Sequence, residues 1–249
     1  MIYSCVSHIG KVRKNNEDFC KGEIIPTKSG EIGIFAIADG MGGHNKGEVA
    51  SELAVENIMR FLKNNLVQNE NVKINYIDDI LKQAYNNVNS IIYKKAKEDE
   101  GCSGMGTTLT TVIIHKDKAY IANVGDSRCY LLKSGELTKI TRDHSLVEEL
   151  VAKHAITEEE AKTHPKRNVI TRALGTEQII IVDIYKQDIG NDDKILLATD
   201  GLTSFVDKND IESIVSSDEN IEDITEKLID KANEIAGKDN VSVILIKYD

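Results

Sequence analysis

Four aspartates carry the first hint of chemistry. Asp39 ends the run "IFAIAD", Asp126 follows "AYIANVG", Asp200 ends "ILLATD", and Asp239 directly precedes "NVSVILI". Each stands at the tip of an apolar strand; three follow their strand and one precedes it. In an antiparallel sheet N- and C-terminal ends alternate along one edge, so all four can converge there. Like charges gathered this way repel strongly unless a cation neutralises them. Carboxylates without a Cys or His partner select hard ions, Mg²⁺ or Mn²⁺ rather than zinc. Taken singly, a strand-tip aspartate is a cap or turn former, and the pairs Asp39-Gly40 and Asp200-Gly201 suit hairpin turns. Both pairs lead into helical patterns instead of second strands.

The glycine-rich turn after Asp39, "DGMGGHNKG", invites a phosphate-loop reading, and two nucleotide motifs nearly fit. Gly42 and Gly47 have P-loop spacing, but Glu48 and Val49 stand where the lysine and the hydroxyl belong. Gly40 and Gly42 open a dinucleotide fingerprint, but Asn45 fills its third glycine position. A bare carboxylate at the head of the turn also repels phosphate, and becomes an asset only with a cation between the two.

The elements that must hold these residues follow from periodicity. Residues 32–38 form a short apolar run that predicts a buried strand. Ala50, Leu53, Ala54, Ile58, Phe61, Leu62 and Leu66 make one helical stripe over 47–66, and a second helix is predicted over about 77–96. Residues 107–141 read as four short strands joined by "KDK", "GDS" and "SGE". Connections that short join antiparallel neighbours. A polar, helix-prone insert follows at about 145–164, then strands near 179–189 and 194–199, helices near 208–216 and 220–236, and a last strand over 241–248. The sum is an α+β layered sandwich, sheet inside and helices outside.

Bulk properties narrow the function. The chain has 249 residues, 41% of them hydrophobic, and a net charge of −10. That suits one compact domain with ample core. With no basic stripe, nucleic acid is not an expected partner. No apolar run approaches about 18 residues, so no membrane span is expected. The N-terminus is too polar for a signal peptide, and Cys5, Cys20, Cys102 and Cys129 are scattered, which fits packed, reduced thiols in a cytoplasm. There is no oligomerisation signal, and a monomer is expected.

Eight segments, taken in order, resemble a known family. They are "RKNNED" (13–18), "ADGMGGHNKGEVAS" (38–51), "GMGTTLTTVII" (104–114), "ANVGDSRCYLL" (122–132), "TRDHSLVEEL" (141–150), "ITRALG" (170–175), "LLATDGL" (196–202) and "KDNVSVILI" (238–246). The chain resembles the metal-dependent serine/threonine protein phosphatases of type 2C in their compact bacterial form, over essentially its whole length. The resemblance implies a four-layer α-β-β-α sandwich of two antiparallel sheets flanked by antiparallel helices. It implies a single catalytic domain over 1–249, with a flap at about 145–168. It also implies a centre of two Mn²⁺ or Mg²⁺ ions: Asp39 bridging both, the Gly40 carbonyl binding one, Asp200 and Asp239 holding the other, and Asp18 acting through waters beside Glu17. Asp126 with Asp200 matches a third, weaker site. Arg13 matches the arginine that grips substrate phosphate, and His44 could protonate the leaving oxygen. His144 reads as structural, and Arg172 as a buried ion pair or a second phosphate contact. The implied reaction is attack of a metal-activated water on phosphoserine or phosphothreonine of proteins, opposing a Hanks-type serine/threonine kinase. A catalytically silent phosphoprotein-binding module on the same scaffold and a metal-dependent phosphodiesterase of another fold are the alternatives.

Overall fold

A computed structural model describes residues 1–42, 46–68, 71–72, 74 and 76–249. Along the chain run β1 (Ile2–His8), β2 (Asp18–Thr27), β3 (Gly30–Met41), α1 (Lys46–Leu66), β4 (Val67–Gln68), β5 (Asn71–Val72) and α2 (Ile77–Glu98). Then come β6 (Gly106–Thr107), β7 (Leu109–His115), β8 (Lys118–Val124), β9 (Arg128–Lys133), β10 (Glu136–Lys139), α3 (Leu146–Ala152) and α4 (Glu158–Thr163). The last part holds β11 (Asp183–Asp188), β12 (Lys194–Ala198), α5 (Asp200–Thr203), α6 (Lys208–Val215), α7 (Ile221–Ile235) and β13 (Val241–Lys247).

Two antiparallel sheets face each other. One has the order β1-β13-β12-β9-β10; the other has β11-β8-β7-β3-β2, with β6 pairing β3. Side chains alternate across β3, which explains its unbroken apolar run. Ile34, Ala36 and Ala38 point outward to Ala54, Ile58 and Leu62 of α1 and Leu81 and Val88 of α2. Phe35 and Ile37 point inward to Leu131, Leu197 and Ile244 of the facing sheet. On the far side Val243 and Leu245 of β13 pack on Ile224 and Leu228 of α7. The layers are therefore helix, sheet, sheet, helix. Each fully buried large apolar side chain contributes about 1.5–3 kcal/mol, so the sandwich is rigid enough to hold a site at its rim.

Two expectations need correction. The connection "GDS" does not join antiparallel neighbours. β8 lies in one sheet and β9 in the other, so Gly125-Asp126-Ser127 is a sheet-to-sheet crossing. Gly125 makes it possible at φ +113°, and the Thr108 side chain lies where a Cβ would sit. Strands β1 and β2 are absent from the periodicity reading. Both are edge strands with mixed burial, and β2 contains Pro26, so neither shows a clean apolar pattern.

Candidate active site

The acids meet at one end of the sandwich, but not along one edge of one sheet. Asp18 opens β2 and lies directly opposite Asp39 of β3 in the strand register. Asp126 sits in the crossing after β8. Asp200 is the first residue of α5 just after β12, and Asp239 precedes β13; β12 and β13 are neighbours in the sheet that faces β2 and β3. Both stacked sheets contribute to the rim.

Their electrostatics report proximity. Burial, and then Asp18, Asp200, Asp126 and Asp239, hold the Asp39 carboxyl well above the usual carboxylate range. Burial with Asp200 and Asp239 pushes Asp18 up to about 7, against hydrogen bonds from Ser242 and Thr199. Burial with Asp200 and Asp143 pushes Asp126 up to about 7. Asp200 is raised by burial and by Asp239. Arg128 offsets the charge on Asp126 and Asp200 while its Nη2 holds Asp143 at 2.7 Å.

Backbone and hydroxyl contacts fix these positions. The Asp39 N–H donates to Thr108 Oγ1 at 2.8 Å, and the Thr107 hydroxyl donates to the Asp39 carbonyl at 2.9 Å. The Thr199 hydroxyl donates to Asp18 Oδ2 at 2.8 Å and accepts from the Ser242 N–H at 3.0 Å. Asn240 ties the 9–17 loop to β13. Its Nδ2 donates to the carbonyls of Ile9 and Asn15, both at 2.9 Å, and its Oδ1 accepts from the Glu17 N–H at 2.8 Å. Sequence reasoning missed Thr108, Thr199 and Asn240. The available signal was polar residues embedded in or abutting apolar strands.

The two Asp-Gly pairs are close approaches rather than hairpins. A Cβ on Gly40 would lie 2.0 Å from the Gly47 carbonyl oxygen, so β3 meets the start of α1 backbone to backbone. A Cβ on Gly201 would lie 1.8 Å from the Asn240 carbonyl oxygen. Backbone cannot yield as a flexible side chain does, so Gly201→Ala forces the Asp200 and Asp239 segments apart. The variant is expected to lose about 1–3 kcal/mol of stability, read from urea unfolding midpoints. An unchanged midpoint would show that the two segments are not closely coupled.

Arg13, half-exposed, donates from Nη2 to Asp239 Oδ2 at 2.8 Å. Burial lifts Glu17, offset in part by Arg13 and the Gly47 N–H. Gly40 donates its N–H to the Glu17 carbonyl at 3.0 Å. His44 lies outside the described residues. His144 is buried and structural: Nδ1 accepts the Gly125 N–H at 3.0 Å, leaving Nε2–H for Asp183 at 3.2 Å. Arg172 pairs with Asp183 at 3.0 Å, but this ion pair is half-exposed rather than buried. The 145–168 insert forms the two expected short helices, α3 and α4. Between it and the α5–α6 segment lies a cleft of about 580 Å³, walled by Val147, Val151, Arg167 and Phe205, with Asp126 and Asp200 in its lining.

Among the described residues, no three His, Cys, Asp or Glu side chains are arranged to surround an ion as they stand. Two facts nevertheless fit a hard cation. Asp18 Oδ1 and Asp126 Oδ1 are buried without any hydrogen-bond partner, an uncommon state for a polar atom. The convergent donors are also all oxygen, the set Mg²⁺ and Mn²⁺ prefer.

Comparison with known proteins decides the family. The family model described as "Protein phosphatase 2C" matches residues 6–232. The chain belongs to the protein phosphatase 2C family. It is 38% identical over 238 residues to "Serine/threonine phosphatase stp" of Listeria welshimeri, covering 96% of this chain and 92% of the relative. The solved S. agalactiae serine/threonine phosphatase superimposes with a TM-score of 0.89 at 33% identity, covering 100% of this phosphatase and 99% of that chain. The catalytic domain of the phosphatase PstP, solved in complex with 2 manganese ions, has a TM-score of 0.83 at 32% identity, covering 98% of this chain and 96% of that one. This chain is a protein serine/threonine phosphatase with the family's four-layer fold. No helix among the described residues is long and apolar enough to cross a membrane.

Proposed function

We propose that this phosphatase hydrolyses phosphoserine and phosphothreonine on proteins with a pair of Mn²⁺ or Mg²⁺ ions held at the acidic rim. The observation that carries the reading is five aspartates from five separate segments, gathered so closely that burial and their neighbours raise the pKa of Asp18, Asp39, Asp126 and Asp200 around two partnerless buried oxygens. Asp39 with the Gly40 carbonyl, Asp200, Asp239 and Asp18 are the residues for the two ions; Asp126 with Asp200 is the set for a third. When bound, the ions supply a nucleophile at neutral pH by lowering the pKa of water, and screen the charge of the phosphate.

The chain's own groups do the rest. Thr107, Thr108 and Asn240 hold the acids in place. Arg13 presents a planar fork that matches two phosphate oxygens and stabilises charge spreading over them. The cleft beside the 145–168 flap gives the protein chain around the phosphoresidue a place to lie. One catalytic domain over 1–249, a monomeric state, a cytoplasmic setting and a cognate serine/threonine kinase belong to the same reading. A silent binding module finds no support: no acid of the set is missing, and the relatives carry phosphatase names.

The test is hydrolysis of a phosphothreonine peptide with and without Mn²⁺. Activity is expected to require the ion and to vanish on chelation; turnover that survives chelation would sink the proposal. Thermal stability gives an independent readout. Asp18 and Asp126 have folded-state pKa values near 7, above the 3.8 of a free carboxyl. Their contribution to the metal-free fold is therefore full below about pH 4 and is lost as pH rises through about 7. Cations compete with those protons, so added Mn²⁺ is expected to raise the melting temperature more at alkaline than at acidic pH. A melting temperature indifferent to Mn²⁺ at both ends would argue against the assigned ligands.

A further inference from the structure

The seam between the two sheets carries a pair of thiols with no part in the reaction. β1 is the edge of one sheet and β2 the edge of the other, and the two edges run past each other on the same side of the sandwich. The Tyr3 hydroxyl donates to the Gly22 carbonyl at 2.8 Å, and further along Asn16 Nδ2 donates to Ser7 Oγ at 2.8 Å. Between these two bonds Cys5 Sγ lies 2.7 Å from Cys20 Sγ. That is closer than the ~3.5–4.0 Å at which even non-bonded carbons settle, so no other heavy atom fits between the sulfurs. Both cysteines are free and half-buried, within reach of a small solute, whereas Cys102 and Cys129 are buried. The sequence spacing, with no CxxC, gives no hint of this pair; only the meeting of the two sheet edges creates it.

We propose that Cys5 and Cys20 are a reversible oxidation site: exposure to a peroxide converts the pair to a disulfide that staples the two sheets. The chemistry balances with peroxide as oxidant. One sulfur attacks a peroxide oxygen; the O–O bond breaks, an S–O bond forms and one water leaves. The second sulfur then attacks the resulting sulfenic sulfur; the S–S bond forms and a second water leaves with that oxygen. Two thiol hydrogens and the two peroxide hydrogens end in the two waters, and each sulfur is oxidised by one electron overall. A small dithiol reverses the step by exchange. The bond closes a loop spanning residues 5–20, the segment that carries Arg13, Glu17 and Asp18. Oxidation therefore restricts the unfolding of that segment and leaves the sheets joined at their otherwise open edge. The inference stands on the two sulfurs alone and does not depend on the metal assignments.

The test treats the folded, full-length protein with a modest excess of hydrogen peroxide, blocks remaining thiols, and maps peptides without reduction. A peptide linked through Cys5 and Cys20, lighter by two hydrogens and released by dithiothreitol, is expected. It is expected to be absent from C5A and C20A and to persist in C102A. The oxidised wild type is expected to melt roughly 5 °C or more above the reduced form. Recovery of Cys5 and Cys20 as two blockable thiols, or as separately over-oxidised residues without the linked peptide, overturns the proposal. So does a link that joins Cys5 or Cys20 to any other cysteine, including one in a second chain. The wild-type peptide map alone decides the matter if either alanine variant fails to fold.

Discussion

Asparagine in place of Asp39 is expected to lower turnover of a phosphothreonine peptide by about 10³-fold or more, while making the metal-free protein more stable. The two effects have one cause. Asp39 is the acid that all four others act upon: Asp18, Asp126, Asp200 and Asp239 each raise its pKa, on top of burial. Its folded-state pKa lies above 3.8, so its protonated form favours the fold and its ionised form opposes it at neutral pH. Asparagine mimics the neutral form that the fold favours, without needing a proton to hold it there. Without added ion, D39N is expected to melt above the wild type. With saturating Mn²⁺ the order should reverse, because the wild type gains an ion that the variant cannot neutralise. Activity assays and melting curves with and without Mn²⁺ check both halves. A fully active D39N would remove Asp39 from the reaction; an inactive D39N that also melts lower without metal would point to a packing role instead.

Loss of Arg13 is the second large effect. Arg13→Ala is expected to cost about 2–4 kcal/mol of barrier, or roughly 30- to 10³-fold in kcat/KM. In this structure Arg13 pairs with Asp239, so two roles compete. If the guanidinium served only to balance Asp239, its removal would free a carboxylate, tighten Mn²⁺ binding and leave kcat/KM at saturating Mn²⁺ nearly intact. If it grips phosphate, the loss persists however much Mn²⁺ is added. Lysine at this position should restore little, since an ammonium keeps the charge but not the two-pronged geometry. Measuring kcat/KM against Mn²⁺ concentration for wild type, R13A and R13K separates the roles. Recovery of R13A by excess Mn²⁺ would defeat the phosphate assignment. The half-exposed position of Arg13 suits the larger loss, because a side chain held at the surface can turn from Asp239 to an incoming dianion.

Much of the architecture was legible in local pattern. The stripe over 47–66 became α1 at Lys46–Leu66, and the second became α2 at Ile77–Glu98. The acids at strand tips were legible too, because a carboxylate ending an apolar run has few places to go but the rim of a sheet. Asp18 was not found that way; it opens an edge strand whose mixed pattern carries no periodic signal, and only the resemblance of "RKNNED" drew attention to it. The reading of "GDS" as a hairpin failed for a related reason. A short connection fixes how far the chain travels, not which sheet receives it, and the left-handed Gly125 sends β9 across the sandwich. The partners Thr108, Thr199 and Asn240 escaped notice because hydrogen bonds between residues far apart in sequence leave no trace in spacing.

By itself, then, the order of residues determined the main helices and the interior strands, four of the acids at their ends, and the family to which the whole belongs, since each depends on near neighbours or on motifs in series. Only tertiary structure decided that two stacked sheets rather than one edge supply the acids, that Arg13 rests on Asp239, and that Cys5 touches Cys20. Those contacts arise from burying both faces of each sheet at once, a condition on the folded whole that no short window of sequence encodes.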